Sequence, residues 1–109
     1  KEKGSLDVGL RTACPDSEYL AHLGAALEEA ASRFLPDIIF YLAGVDMYER
    51  DRLGGLSVSF EGMRRRDVMV RDFMPQVPRA TVLAGGYGIN TDDTISLHVQ
   101  TCEVLAGFV

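Results

Sequence analysis

The chain has 109 residues, of which 47% are apolar and 25% charged, with a formal net charge of −5 and no Trp. That length allows one domain, spanning 1–109, and is small for an α/β architecture. The acidic balance argues against a binder of nucleic-acid backbones, and no apolar stretch approaches the roughly 20 residues that cross a bilayer.

Lys1-Glu2-Lys3-Gly4-Ser5 lacks the apolar core of a signal peptide, and Cys14 and Cys102 are too few for a disulfide framework or a zinc knuckle. Reducing cytoplasm is therefore the expected compartment. Ser5 to Leu10 alternates polar and apolar residues, as a half-covered strand would. Cys14-Pro15 breaks this pattern, and Ser17 is placed to cap a helix carrying Glu18 in its first turn. Leu20, Leu23, Leu27, Ala30, Ala31 and Phe34 recur at helical steps, opposite Glu28, Glu29 and Ser32, so the helix is amphipathic.

Pro36 stops that helix, and Ile38-Ile39-Phe40-Tyr41-Leu42-Ala43 follows. A continuous apolar run rich in β-branched and aromatic residues predicts a parallel strand covered on both faces. A polar loop over 44–55 leads to a second helix, capped by Ser57 or Ser59, with Met63, Val70, Phe73 and Met74 toward the core. Within it, Arg64-Arg65-Arg66 reads as a solvated helix face. Arg79 to Ala84 predicts a third strand, and Thr91 a last helix through Ile95, Val99, Cys102 and Leu105, with Cys102 a buried, inert thiol. The β-α-β-α-β-α order implies an α/β fold with a parallel sheet of about three strands and flanking helices. So narrow a sheet leaves an edge in want of a partner.

Two loops at strand carboxyl ends, where α/β sheets bind ligands, carry the chemistry. The first holds Asp46, whose carboxylate could cap a turn, bind a metal or act as a base. Asp51, in the same loop, is assigned to loop structure. The second is Gly85-Gly86-Tyr87-Gly88, in which the phenol either donates to a developing oxyanion or covers the sheet end. Its spacing matches neither a P-loop nor G-x-G-x-x-G, although a small-ligand or nucleotide site remains an alternative. His22 and His98 lie in helical patterns without a second ligand at i±4, and no Ser-His-Asp, Cys-His or paired-carboxylate set can be assembled.

Leu35 to Asp46, Asp51-Arg52-Leu53-Gly54-Gly55-Leu56-Ser57, Arg66-Asp67 and Ala84-Gly85-Gly86-Tyr87, in this order and spacing, resemble the C-terminal part of the zinc-dependent histone deacetylase superfamily. Asp16-Ser17-Glu18-Tyr19-Leu20 resembles the family's entry to the preceding helix, and Asp51 to Ser57 most resembles the class IV and related bacterial branches. The resemblance implies an arginase-like fold, with Asp46 as a Zn²⁺ ligand and Tyr87 as the donor that steadies the tetrahedral oxyanion. Gly85, Gly86 and Leu53 would then border the substrate, an acylated lysine or a small acylated amine, and an apolar Leu53 favours an uncharged, acyl-lysine-like one. Arg50 departs from the Gly common in relatives. The His-His pair and the Asp-x-His of the family's N-terminal half do not occur in this chain. Catalytic zinc normally takes three protein ligands. The expectation is therefore a C-terminal fragment of a deacetylase, inactive alone. The alternative is a non-catalytic folding or self-association module.

Overall fold

Residues 39–43, apolar throughout, and 79–83, where Thr81 and Val82 are β-branched, pair as parallel strands β1 (Ile39–Ala43) and β2 (Arg79–Leu83), with Ile39 opposite Arg79 and Ala43 opposite Leu83. The computed structural model describes residues 3–108. Lys1, Glu2 and Val109, at the limits of the expected domain, lie outside the described residues. Three helices accompany the strands: α1 (Asp16–Arg33), α2 (Phe60–Asp72) and α3 (Thr91–Leu105). The architecture is α/β with a parallel sheet and flanking helices, α2 packing against both α1 and α3.

Among the described residues the sheet has two strands, not three. Ser5 to Leu10 forms no ladder. Its alternating Leu6, Val8 and Leu10 instead line a groove with Tyr19, His22, Leu23 and Ala26 of α1. Alternation that faces a helix across a groove looks, in sequence, the same as alternation in a sheet, and Leu6 and Val8 stay exposed here.

Capping also differs from expectation. The residue before α1 is Pro15 and supplies no side-chain cap, so Ser17 does not act as one. Asp16 reaches across to α2, accepting from the Ser59 backbone N–H at 2.6 Å and from its hydroxyl at 2.5 Å. Ser59, in turn, caps α2 by accepting from Gly62 N–H at 3.0 Å. α3 starts at Thr91 as expected, and Asn90 caps it, accepting from Asp92 N–H at 2.9 Å. Arg79 closes the other end of α2, donating to the carbonyls of Val70, Phe73, Met74 and Val77. A cation there complements the negative end of the helix dipole and ties the turn after α2 to β2.

The core lies under the first loop more than under the sheet. Val45, Tyr48, Val58, Met63 and Leu97 form its buried cluster, with Tyr19 and Met47 packed against it. The segment read as a polar loop thus contributes two core side chains, Val45 and Tyr48. Strand β1 is not covered on both faces: Phe40 is 65% and Leu42 70% exposed, and Val82, paired with Leu42, is 53% exposed. Ile38, Leu35 and Phe34 extend this bare apolar surface. On α3, Leu97, Thr101 and Val104 are buried, whereas Ile95, Val99 and Cys102 face outward. At 3.6 residues per turn, Cys102 sits about 100° around the helix from Thr101, which takes it off the buried face.

Candidate functional site

Both loops leave the carboxyl ends of the paired strands, and backbone hydrogen bonds join them. Val45 N–H donates to Gly85 O at 2.7 Å, Arg52 N–H to Tyr87 O at 2.9 Å, and Ile89 N–H to Arg50 O at 2.8 Å. Asp51 adds a side-chain tie. One oxygen accepts from Leu53 and Gly54 N–H at 2.8 and 3.0 Å, and the other accepts from Tyr87 N–H at 2.6 Å. Its assignment to loop structure holds, but it spans two loops rather than one. Two glycines permit the close packing. A Cβ on Gly54 would overlap the Asp46 carbonyl, and one on Gly86 would overlap Val45 Cγ2.

Leu53, Gly86 and Tyr87 share an open cleft of about 360 Å³ with Arg52, Gly88, Thr91 and Thr94. Leu53 is 73% and Tyr87 59% exposed, so both side chains are free to meet a ligand. Gly85 and Asp46 do not line that cleft. Gly85 is held through its carbonyl by Val45, and Asp46 follows Val45 directly on the exposed surface. Among the described residues no group of three or more His, Cys, Asp or Glu side chains is placed to hold a metal ion. Asp46 is an accessible oxygen donor of a kind zinc accepts, but it is one ligand.

Beneath the loops lies a buried ionic network that composition did not reveal. Arg66 is 3% exposed and Asp67 fully buried, so the reading of Arg64-Arg65-Arg66 as one solvated face fails at its third residue. Arg64 stays near the surface with Glu61, whereas Arg66 donates to Asp67 through Nε at 3.0 Å and Nη2 at 2.8 Å. Asp67 also accepts from the Tyr41 hydroxyl at 2.6 Å and the Thr101 hydroxyl at 2.7 Å. Arg66 Nη1 donates to the carbonyl of Gly44 and lies 3.2 Å from Met47 Sδ. One carboxylate therefore joins β1, α2 and α3, and its guanidinium partner holds the start of the loop bearing Asp46. Burial pushes the Tyr41 phenol up, and its bond to the charged Asp67 adds to the shift, so it is a committed donor. The adjacent Arg66-Asp67 pair is the sequence signal for this network, but its burial is not written locally.

His98 lies under the second loop, its Nε2 3.7 Å from where a Gly86 Cβ would sit. Burial lowers its pKa, the Arg66 charge lowers it further, and Asp67 partly opposes them. Its Nδ1 is buried without a hydrogen-bond partner among the described residues.

These features define a parallel α/β protein whose strand-end loops present a carboxylate and a phenol. The chain belongs to the histone deacetylase domain family, which it matches over residues 1–102. It is 38% identical over 100 residues to an uncharacterised protein of Picosynechococcus sp., covering 90% of this chain and 33% of that protein. It is 39% identical over 72 residues to histone deacetylase 2 of Arabidopsis thaliana, covering 64% of this chain and 19% of that protein. Among solved structures it resembles the HDA15 HD domain, with a TM-score of 0.73, 27% identity, and coverage of 89% of this chain and 27% of that one. The acetylpolyamine aminohydrolase of Burkholderia pseudomallei shares the fold, with a TM-score of 0.75, 20% identity, and coverage of 94% and 28%. The chain thus spans at most about a third of the length of these relatives.

Proposed function

We propose that this chain forms the C-terminal part of a zinc-dependent deacetylase that hydrolyses the amide of an acylated lysine or a small acylated amine. In this reading Asp46 is one zinc ligand and Tyr87 the hydrogen-bond donor to the oxyanion. The observation that carries it is the joining of the two loops: Val45 to Gly85 and Asp51 to Tyr87 hold the carboxylate and the phenol at one sheet edge. Bound zinc would polarise the scissile carbonyl and lower the pKa of its water. Tyr87 donates its phenolic proton where negative charge develops, and removing one such donor typically costs about 10²–10³ in kcat. Leu53, apolar and exposed at the cleft, borders an uncharged acyl chain, while Gly86, in the same cleft, lets that chain approach the backbone. The remaining zinc ligands and the general base come from outside these residues, so the isolated chain is inactive. A reducing cytoplasm is the compartment we propose for the protein.

Zinc-dependent acetate release, measured on the protein that carries this chain, tests the reading. Asp46→Ala and Tyr87→Phe should each abolish or sharply reduce it, and full activity in both variants would refute the site. Stoichiometric, tight zinc binding by the isolated chain would contradict its incompleteness.

The bare sheet face supports a second reading. Phe40, Leu42 and Val82 are exposed side by side, as expected of a module that associates with another copy or with the rest of its domain. Sedimentation of the isolated chain checks this, and a stable monomer would count against self-association.

A further inference from the structure

We infer that Asp51 is a positioning residue for Tyr87, setting the phenol's place relative to the loop that bears Asp46. This rests on the deacetylase reading and extends it to a residue that touches neither metal nor substrate.

Tyr87 has little else to hold it. Gly85, Gly86 and Gly88 surround it, the ring is 59% exposed, and no core cluster includes it. The backbone of residue 87 therefore sets the point from which the phenol reaches out. That backbone is clamped at both polar groups: the N–H donates to Asp51 Oδ2 at 2.6 Å, and the carbonyl accepts from Arg52 N–H at 2.9 Å. The other Asp51 oxygen accepts from Leu53 and Gly54 N–H, and Gly54 packs against the Asp46 carbonyl. A single carboxylate thus reaches the phenol loop with one oxygen and the metal-ligand loop with the other. Three N–H donors hold the carboxylate in one orientation. Displacing a catalytic group by about 1 Å can cost on the order of 10²-fold in rate, so a clamp at this point acts on turnover rather than on binding.

Two substitutions separate the bonds. Asp51→Asn keeps the shape but turns an NH₂ toward one set of N–H donors. Asp51→Ser is short: its hydroxyl can serve the local turn to Leu53 and Gly54 but not Tyr87 N–H. The assay is deacetylation by the protein that carries this chain, with KM and zinc content measured for each variant. Both variants should lose at least about tenfold in kcat with KM and zinc content within about twofold of the parent. In a Tyr87→Phe background, either change should cost less than about threefold more, because the group being positioned is gone. The inference is overturned if the Asp51 variants keep full kcat, if zinc is lost, or if the Asp51 and Tyr87 losses multiply. Full activity of Tyr87→Phe alone refutes the oxyanion role of Tyr87, and with it the need for a residue that positions it. Low activity of Tyr87→Phe with an undiminished Asp51 effect on top of it refutes only the positioning role.

Discussion

Removing the Asp67 carboxylate should destabilise the protein more than any other single side-chain truncation under the loops. The carboxylate is fully buried and accepts from Tyr41, from Thr101 and twice from Arg66. Asp67→Ala strands a guanidinium that is 3% exposed and leaves two hydroxyls without their acceptor. Breaking a buried ion pair by removing one partner costs about 3–5 kcal/mol. Tyr41→Phe and Thr101→Val each remove one hydrogen bond to a charged group, worth about 1.5–3 kcal/mol. Urea unfolding followed by far-UV circular dichroism provides the measurement. With a slope of about 2 kcal/mol/M, Asp67→Ala should lower the midpoint by about 2 M. Replacing both partners, as Arg66→Met with Asp67→Leu, should recover much of that loss, because no charge is then buried alone. An Asp67→Ala midpoint within about 0.3 M of the parent would refute the argument that this pair anchors three elements.

Arg79→Ala should uncap α2 at its C-terminus and cost about 1.5–3 kcal/mol in the same unfolding assay, since four carbonyls lose a charged donor. An unchanged midpoint would show that water replaces the guanidinium without loss. Gly86→Ala should overpack against Val45 Cγ2 at a cost of about 1–3 kcal/mol, and adding Val45→Ala should relieve part of it. If the double variant is no more stable than Gly86→Ala, the clash is not with Val45. His98 has its pKa lowered in the folded state, chiefly by burial, so the unfolded chain binds more protons below its ordinary value of 6.5. Its contribution to stability is therefore complete above that pH and is lost as pH falls toward the folded value. Urea midpoints between pH 5 and pH 8 should fall on the acid side in the parent and change less in His98→Gln; identical profiles would remove His98 as the cause.

Local signals in the sequence determined the helices, the two strands and their breaks. The 3.6-residue recurrence along 20–34, the β-branched run at 38–43, and Pro36, Pro75 and Pro78 act over a few residues, and the structure follows them closely. The loops bearing Asp46 and Tyr87 were legible for the same reason, as Gly-rich exits from apolar runs. What periodicity could not decide is which neighbour satisfies a side chain. Leu6, Val8 and Leu10 alternate as a strand would, yet the surface they meet is α1.

Only tertiary structure buried Arg66 and Asp67, because the hydroxyls that make the carboxylate tolerable lie 26 and 34 residues away, on Tyr41 and Thr101. The joining of the loops is equally remote, since Asp51 meets the Tyr87 N–H across 36 residues. The outward turn of Phe40 and Leu42 is likewise a matter of which layers are present to cover a sheet. Beyond the adjacent Arg66-Asp67 pair, the contacts that satisfy this buried carboxylate are distant in sequence, and a window of ten residues contains none of those.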